Sequence, residues 1–107
     1  MNGLNLIDGQ WVEALSRERA QSIDPATGAI VGSFAAGARA DAQAAIAAAL
    51  KAFEQLDWAQ SPRIRQLIML RWADRLEQQI ESLAQLLVRE NGKIIGHARA
   101  EIAGSIS

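Results

Sequence analysis

Leu4-Asn5-Leu6-Ile7-Asp8-Gly9-Gln10-Trp11-Val12 is the stretch whose reading decides the fold. Asp8-Gly9 sits between two short apolar runs and supplies the positive φ angles that a tight hairpin turn needs. The spacing therefore predicts a β-hairpin at the start of the chain. A second turn signal follows at Asp24-Pro25-Ala26-Thr27-Gly28. There Pro25 fixes φ, the Asp24 side chain can accept from following amides, and Gly28 permits a left-handed exit. Between the two turns, residues Glu13 to Gln21 are polar and read as a loop. Beyond the second, Ala29 to Phe34 carries Ile30, Val31 and Phe34 and reads as a strand. A lone hairpin is marginal in water, so these strands need a partner sheet or helix.

Outward from there the chain changes character near Gly37, giving a β-hairpin region at 1–37 and a helical region at 38–107. Asp41 to Leu56 places Ala42, Ile46, Ala49, Leu50 and Phe53 at helical spacing. Asp57-Trp58-Ala59-Gln60 breaks that pattern, and Ser61-Pro62 opens a new helix. Ile64, Ile68, Met69, Trp72, Leu76, Ile80, Leu83 and Leu87 continue the stripe, with a break expected at Gln78-Gln79. Asn91-Gly92 tolerates the left-handed region and ends it. Ile95, Ala98, Ile102 and Ile106 predict a last helix running to Ser107. Three to four helices after N-terminal hairpins make the fold class α/β, or α+β within this stretch.

The composition narrows the function classes. The 107 residues leave room for one small domain. Half the chain is hydrophobic, but alanine supplies much of that half and hides little apolar area per residue. The formal net charge is -1, so no strong field recruits nucleic acid or an anionic membrane. With no cysteine there are no disulfides, thiolate metal sites or cysteine nucleophiles. The first residues lack a basic stretch and a long apolar core, and no run is long enough to span a bilayer. A cytoplasmic protein is the expectation.

The inventory for chemistry is thin. His97 is the only histidine; beside Arg99 and Glu101 it reads as a partly exposed helix residue, and nothing positions a Ser–His–Asp arrangement. The glycines form neither G-x-G-x-x-G nor a Walker A loop. Gly92-Lys93 shares only two letters with the latter, and Gly92 closes a helix rather than opening one. Arg63, Arg65, Arg71 and Arg75 could give a helix face for nucleic acid or anionic lipid. Glu77 and Glu81 soon reverse the sign, so a solvated polar face is the better reading. Trp58 and Trp72 read as core or helix-junction residues, and Trp11 as structural or part of a subunit contact.

Taken in order, these pieces resemble the N-terminal part of NAD(P)-dependent aldehyde dehydrogenases. The resemblance rests on Leu6-Ile7-Asp8-Gly9-Gln10-Trp11-Val12 and on Asp24-Pro25-Ala26-Thr27-Gly28-Ala29-Ile30-Val31-Gly32. It continues through Ala45-Ile46 to Ala52-Phe53 with Trp58, and Arg63-Ile64 to Leu70-Arg71-Trp72-Ala73-Asp74. It ends with Arg89-Glu90-Asn91-Gly92-Lys93, Ala98 and Glu101-Ile102. Asp24 stands where the family usually has Asn; either side chain makes the same turn bond.

The resemblance implies that residues 1–107 are part of a coenzyme-binding domain in a chain several times longer. In that family a cysteine thiolate attacks the aldehyde, hydride passes to NAD or NADP, and a glutamate-activated water releases the carboxylic acid. This stretch carries no counterpart of those groups. Catalytic and cofactor-binding residues are therefore assigned to none of its positions. No coenzyme is expected to bind it alone, and it is expected to be inactive by itself. The resemblance also implies a monovalent-cation site with ligands at Ser22, Ile23 and Glu90. The alternative is that Glu90 is only a solvated residue near a helix end. The expected partners are an aldehyde in the full-length family, and self-association or docking to a missing remainder for this stretch. No nucleic acid and no membrane are expected. A small interaction module that buries its apolar faces against a partner or itself is the competing functional reading.

Overall fold

The computed structural model describes residues 2–106. The elements in chain order are β1 (Asn2–Gly3), β2 (Asn5–Ile7), β3 (Gln10–Val12), β4 (Arg19–Ile23), β5 (Ile30–Ala35), α1 (Arg39–Gln55), α2 (Pro62–Glu77), α3 (Ile80–Asn91) and α4 (Ile95–Gly104). The fold is mixed α/β, with all described strands preceding the four helices. They divide into two compact units, one of Met1–Ser22 with Gly32–Ser61, the other of Ile23–Val31 with Pro62–Ser107.

In the first unit, β2 and β3 form the expected hairpin, with Asn5 opposite Val12, Leu6 opposite Trp11 and Ile7 opposite Gln10. Its turn has both central residues left-handed, Asp8 at φ 49° and Gly9 at φ 74°. That is the backbone a two-residue hairpin loop selects, because its twist matches the strands. A second sheet has the order β1-β5-β4. β1 runs parallel to β5 in the register Asn2 to Ser33 and Gly3 to Phe34. One guanidinium ties this region together. Arg19 Nη1 donates to both Glu13 carboxylate oxygens at 2.6 and 2.7 Å, and Nη2 donates to the Gly3 and Ser33 carbonyls at 3.3 Å.

The loop expected over Glu13 to Gln21 is corrected in its last part, because Arg19–Ile23 is an edge strand. Its half-buried positions, Ala20 and Ser22, are small, so the alternation that marks a strand is almost silent in hydropathy.

α1 forms where expected but turns the other way. Asp41 is buried and Ala45, Ala48 and Ala52 are half-buried, one stripe at helical spacing. The bulky residues face out instead, with Ile46 68% and Phe53 63% exposed.

The second unit holds the 24–28 turn and α2 to α4. Asp24 Oδ1 accepts from the Ala26 amide at 2.8 Å, and the Asp24 carbonyl accepts from Gly28 N at 2.8 Å. The break at Gln78-Gln79 is present, and Gly92 caps α3 at φ 72° with its amide on the Val88 carbonyl at 2.8 Å. α3 and α4 pack on each other, each burying one alanine completely, Ala84 and Ala98. The final helix ends at Gly104 rather than running to Ser107, where the Ser105 amide bonds back to Glu101 and Ile102. Ser107 itself lies outside the described residues. α2 buries no residue, and Trp72 is exposed rather than in a core.

The buried apolar residues are Ala14, Val31, Ala35, Ala84 and Ala98, and no large side chain is fully enclosed among the described residues.

Candidate functional site

The residues with most chemistry converge on Asp41. α1 has an alanine, Ala38, at its N-cap, which offers no side-chain acceptor. Asp41, one turn in, supplies it by reaching back, so that Oδ2 accepts from Ala38 N at 2.9 Å. Oδ1 accepts from Leu15 N at 2.9 Å and so pins the chain leaving the hairpin. These bonds, the Ala38 amide first and the Leu15 amide next, hold the Asp41 carboxyl below its ordinary pKa. A carboxylate with both oxygens committed to backbone amides is a staple, not a proton shuttle. The sequence signal was an acid three residues past the cap without the usual Ser or Thr partner.

A cavity of about 270 Å³ borders this carboxylate, lined by Asn5, Leu6, Ile7, Gly37, Ala38, Asp41, Ala42 and Ala45. It holds no nucleophile and no free base. Asn5 Nδ2 is buried without a hydrogen-bond partner.

In the second unit the ionisable groups pair locally. Arg99 bonds both oxygens of Glu81 at 2.8 and 2.9 Å, tying α4 to α3, and Lys93 pairs with Glu101. The Arg99 guanidinium, with help from Gln85, pulls the Glu81 pKa down to about 2. Arg99 is raised in turn by Glu81. His97 lies exposed on α4. Arg63, Arg71 and Arg75 are exposed on α2, and Arg65 is half-buried.

The residues assigned to a cation fall as follows. Ser22 and Ile23 end β4, half-buried and exposed respectively, and Glu90 is exposed in the last turn of α3. Within the second unit, a Cβ at Gly92 would lie 3.2 Å from Pro25 Cγ, so the end of α3 adjoins the turn that follows Ile23. Among the described residues no three His, Cys, Asp or Glu side chains group to hold a metal, and Glu90 makes no hydrogen bond or ion pair through its side chain.

The N-terminus of α1 offers no cradle for a pyrophosphate. A pyrophosphate needs free amides at a helix N-terminus and a glycine turn leading into it. At α1 that place is taken by the Asp41 carboxylate, and the space beside Gly37 is filled by the Asn5 amide at 3.2 Å from where a Cβ would stand.

Comparison with known proteins gives one answer. Residues 11–107 match the family described as the aldehyde dehydrogenase family. The chain is 41% identical over 104 residues to N-succinylglutamate 5-semialdehyde dehydrogenase 2 of Caulobacter vibrioides, covering 96% of this chain and 21% of that one. It is 32% identical over 103 residues to malonate-semialdehyde dehydrogenase 1 of Bacillus licheniformis, with the same two coverages. In structure it resembles an NAD-dependent aldehyde dehydrogenase from Sinorhizobium meliloti at TM-score 0.95 and 32% identity, over 99% of this chain and 22% of that one. The chain thus spans about a fifth of the length of the relatives it matches.

Proposed function

Because this chain belongs to the aldehyde dehydrogenase family, we propose that it serves as the opening scaffold of an enzyme that oxidises an aldehyde to a carboxylic acid with NAD or NADP. The observation that carries this reading is the likeness to the Sinorhizobium meliloti enzyme, in which nearly the whole chain is matched and only 22% of the relative is used. NAD(P) is the oxidant of the full-length family. No residue of this stretch is assigned to its site, so no step of the reaction is assigned to these residues. Their part is positional: Asp41 fixes the hairpin to α1, and Arg99 with Glu81 fixes α4 to α3. The nucleophile belongs elsewhere, since the chain has no cysteine.

The reading frame past Ser107 tests the proposal. An in-frame continuation encoding a cysteine-bearing catalytic region is the expected result, and a stop codon overturns it. The 107-residue chain itself, given NAD and an aldehyde, is expected to produce no NADH absorbance. The cytoplasm is the proposed compartment, which secretion of the chain would overturn.

A monovalent cation on the Ile23 carbonyl and the Glu90 carboxylate, with Ser22 adjoining, belongs to the same proposal. Hard oxygen donors and an uncommitted carboxylate support it. Potassium chloride is expected to raise Tm above choline chloride at equal ionic strength, and Glu90→Gln to remove the difference. Equal Tm values in the two salts overturn it.

A further inference from the structure

The chain contains the pair Asn-Gly twice, at Asn2-Gly3 and at Asn91-Gly92. Such a pair can modify itself, because glycine has no side chain to keep its amide from the preceding carboxamide. Both asparagines are exposed, so access to water does not tell them apart, but their side chains are held differently. Asn2 lies in β1, and its Oδ1 accepts from Ser33 Oγ at 3.1 Å. That bond ties the carboxamide to β5 rather than to its own peptide. Asn91 is the last residue of α3, and its Oδ1 accepts from the Lys93 amide at 3.0 Å. A bond to the amide two residues ahead is an Asx turn, and it folds the carboxamide over the Gly92 peptide between them. The two groups that would join are therefore held side by side, which lowers the entropic cost of joining them. The Lys93 amide also points at the oxygen on which negative charge develops during attack.

We propose that Asn91 is a site of spontaneous deamidation in the folded chain and that the Ser33 bond spares Asn2. Hydroxide takes the Gly92 amide proton, and that nitrogen forms a bond to Asn91 Cγ. The Cγ–Nδ2 bond breaks, and ammonia leaves with a proton from water. Water then opens the five-membered succinimide at either carbonyl, giving aspartate or isoaspartate. Water is consumed and ammonia released, with nothing oxidised or reduced. The Gly92 amide donates to the Val88 carbonyl at 2.8 Å, so the nucleophile is freed only when the last turn of α3 opens. Helix ends are where such opening is easiest. The product acts on the fold. It sets a new negative charge beside Glu90 at the C-terminal end of α3, where the helix dipole disfavours it. Isoaspartate also inserts a methylene into the backbone next to Gly92, the residue that caps this helix.

The test incubates the whole chain at mildly alkaline pH and follows both Asn-Gly pairs by peptide mapping. The peptide holding Asn91 is expected to gain about 1 Da and to become a substrate for an isoaspartyl methyltransferase. In the native chain Asn91 should react roughly threefold faster than Asn2, or more. In guanidinium chloride the two rates should draw together, since the side-chain bonds that distinguish them are gone. Ser33→Ala removes the hydroxyl that holds Asn2 and should raise the Asn2 rate toward that of Asn91, leaving Asn91 unchanged. Circular dichroism of this variant is expected to match the parent chain, and the native comparison of the two sites stands without it. The modified chain should melt below the fresh one. An Asn91 that stays unmodified, or reacts no faster than Asn2 in the native chain, overturns the proposal. So does a difference that persists undiminished in the denatured chain, because it then owes nothing to the fold. A folded Ser33→Ala chain whose Asn2 stays slow overturns the sparing of Asn2 by Ser33.

Discussion

The Asp41 carboxylate accepts the Leu15 amide at 2.9 Å across 26 residues of sequence. With its other oxygen on Ala38 N, it joins the hairpin exit to the first turn of α1. A negative group there also complements the helix dipole. Asp41→Asn keeps one acceptor but turns an NH₂ toward the second amide, and Asp41→Ala loses both. Tm is expected to fall in the order Asp, Asn, Ala, with the alanine variant lower by roughly 4–8 °C. In the alanine variant the Leu15 amide should also exchange faster with deuterium. An unchanged Tm and an unchanged Leu15 exchange rate would refute the role.

Acid should loosen the chain over a defined window. Glu81 is lowered from 4.5 to about 2, chiefly by its hydrogen bond from Arg99, and Asp41 is lowered by its amide bonds. A folded-state value below the unfolded one adds stability that is complete above about pH 5 and drains as pH falls toward 2. Tm is therefore expected to be flat from pH 7 to pH 5 and to drop below that. Glu81→Gln should flatten the Glu81 share of the drop. Because that pair is exposed, about 0.5 M salt should shrink it as well. A Tm that rises on acidification would contradict the assignment.

Two glycines should respond oppositely to alanine. Gly92 sits at φ 72° with Pro25 Cγ 3.2 Å from any added Cβ. Gly92→Ala is expected to cost about 1–2 kcal/mol. Gly96 lies inside α4 with open space around it. Gly96→Ala is expected to stabilise by about 0.5–1 kcal/mol. Urea melts of both variants give the comparison, and the same sign for both would defeat it.

Turn chemistry made much of this fold legible. Asp8-Gly9, Asp24-Pro25 and Asn91-Gly92 each dictate a local backbone, and the structure has each turn where its residues require it. Pro62 likewise opens α2. Two features escaped for physical reasons. β1 pairs with β5 over two residues only, and β4 alternates with small side chains, so neither leaves a hydropathy signal. The facing of α1 escaped for a different reason. Periodicity locates the greasy side of a helix but not the side that is covered, and here the alanine side is covered. The role of Asp41 was visible only as an acid in a first helical turn. Its long-range partner, Leu15, has no local signature.

The alanine core has a thermodynamic consequence. The five buried apolar residues are four alanines and a valine. Melting the chain by itself therefore uncovers less hydrocarbon than melting a domain of the same mass whose large side chains are enclosed. The heat-capacity step of unfolding scales with that hydrocarbon, and so does the sensitivity to denaturant. Alone, this polypeptide is expected to show a smaller heat-capacity step and a shallower response to urea than such a domain, and so a flatter stability curve.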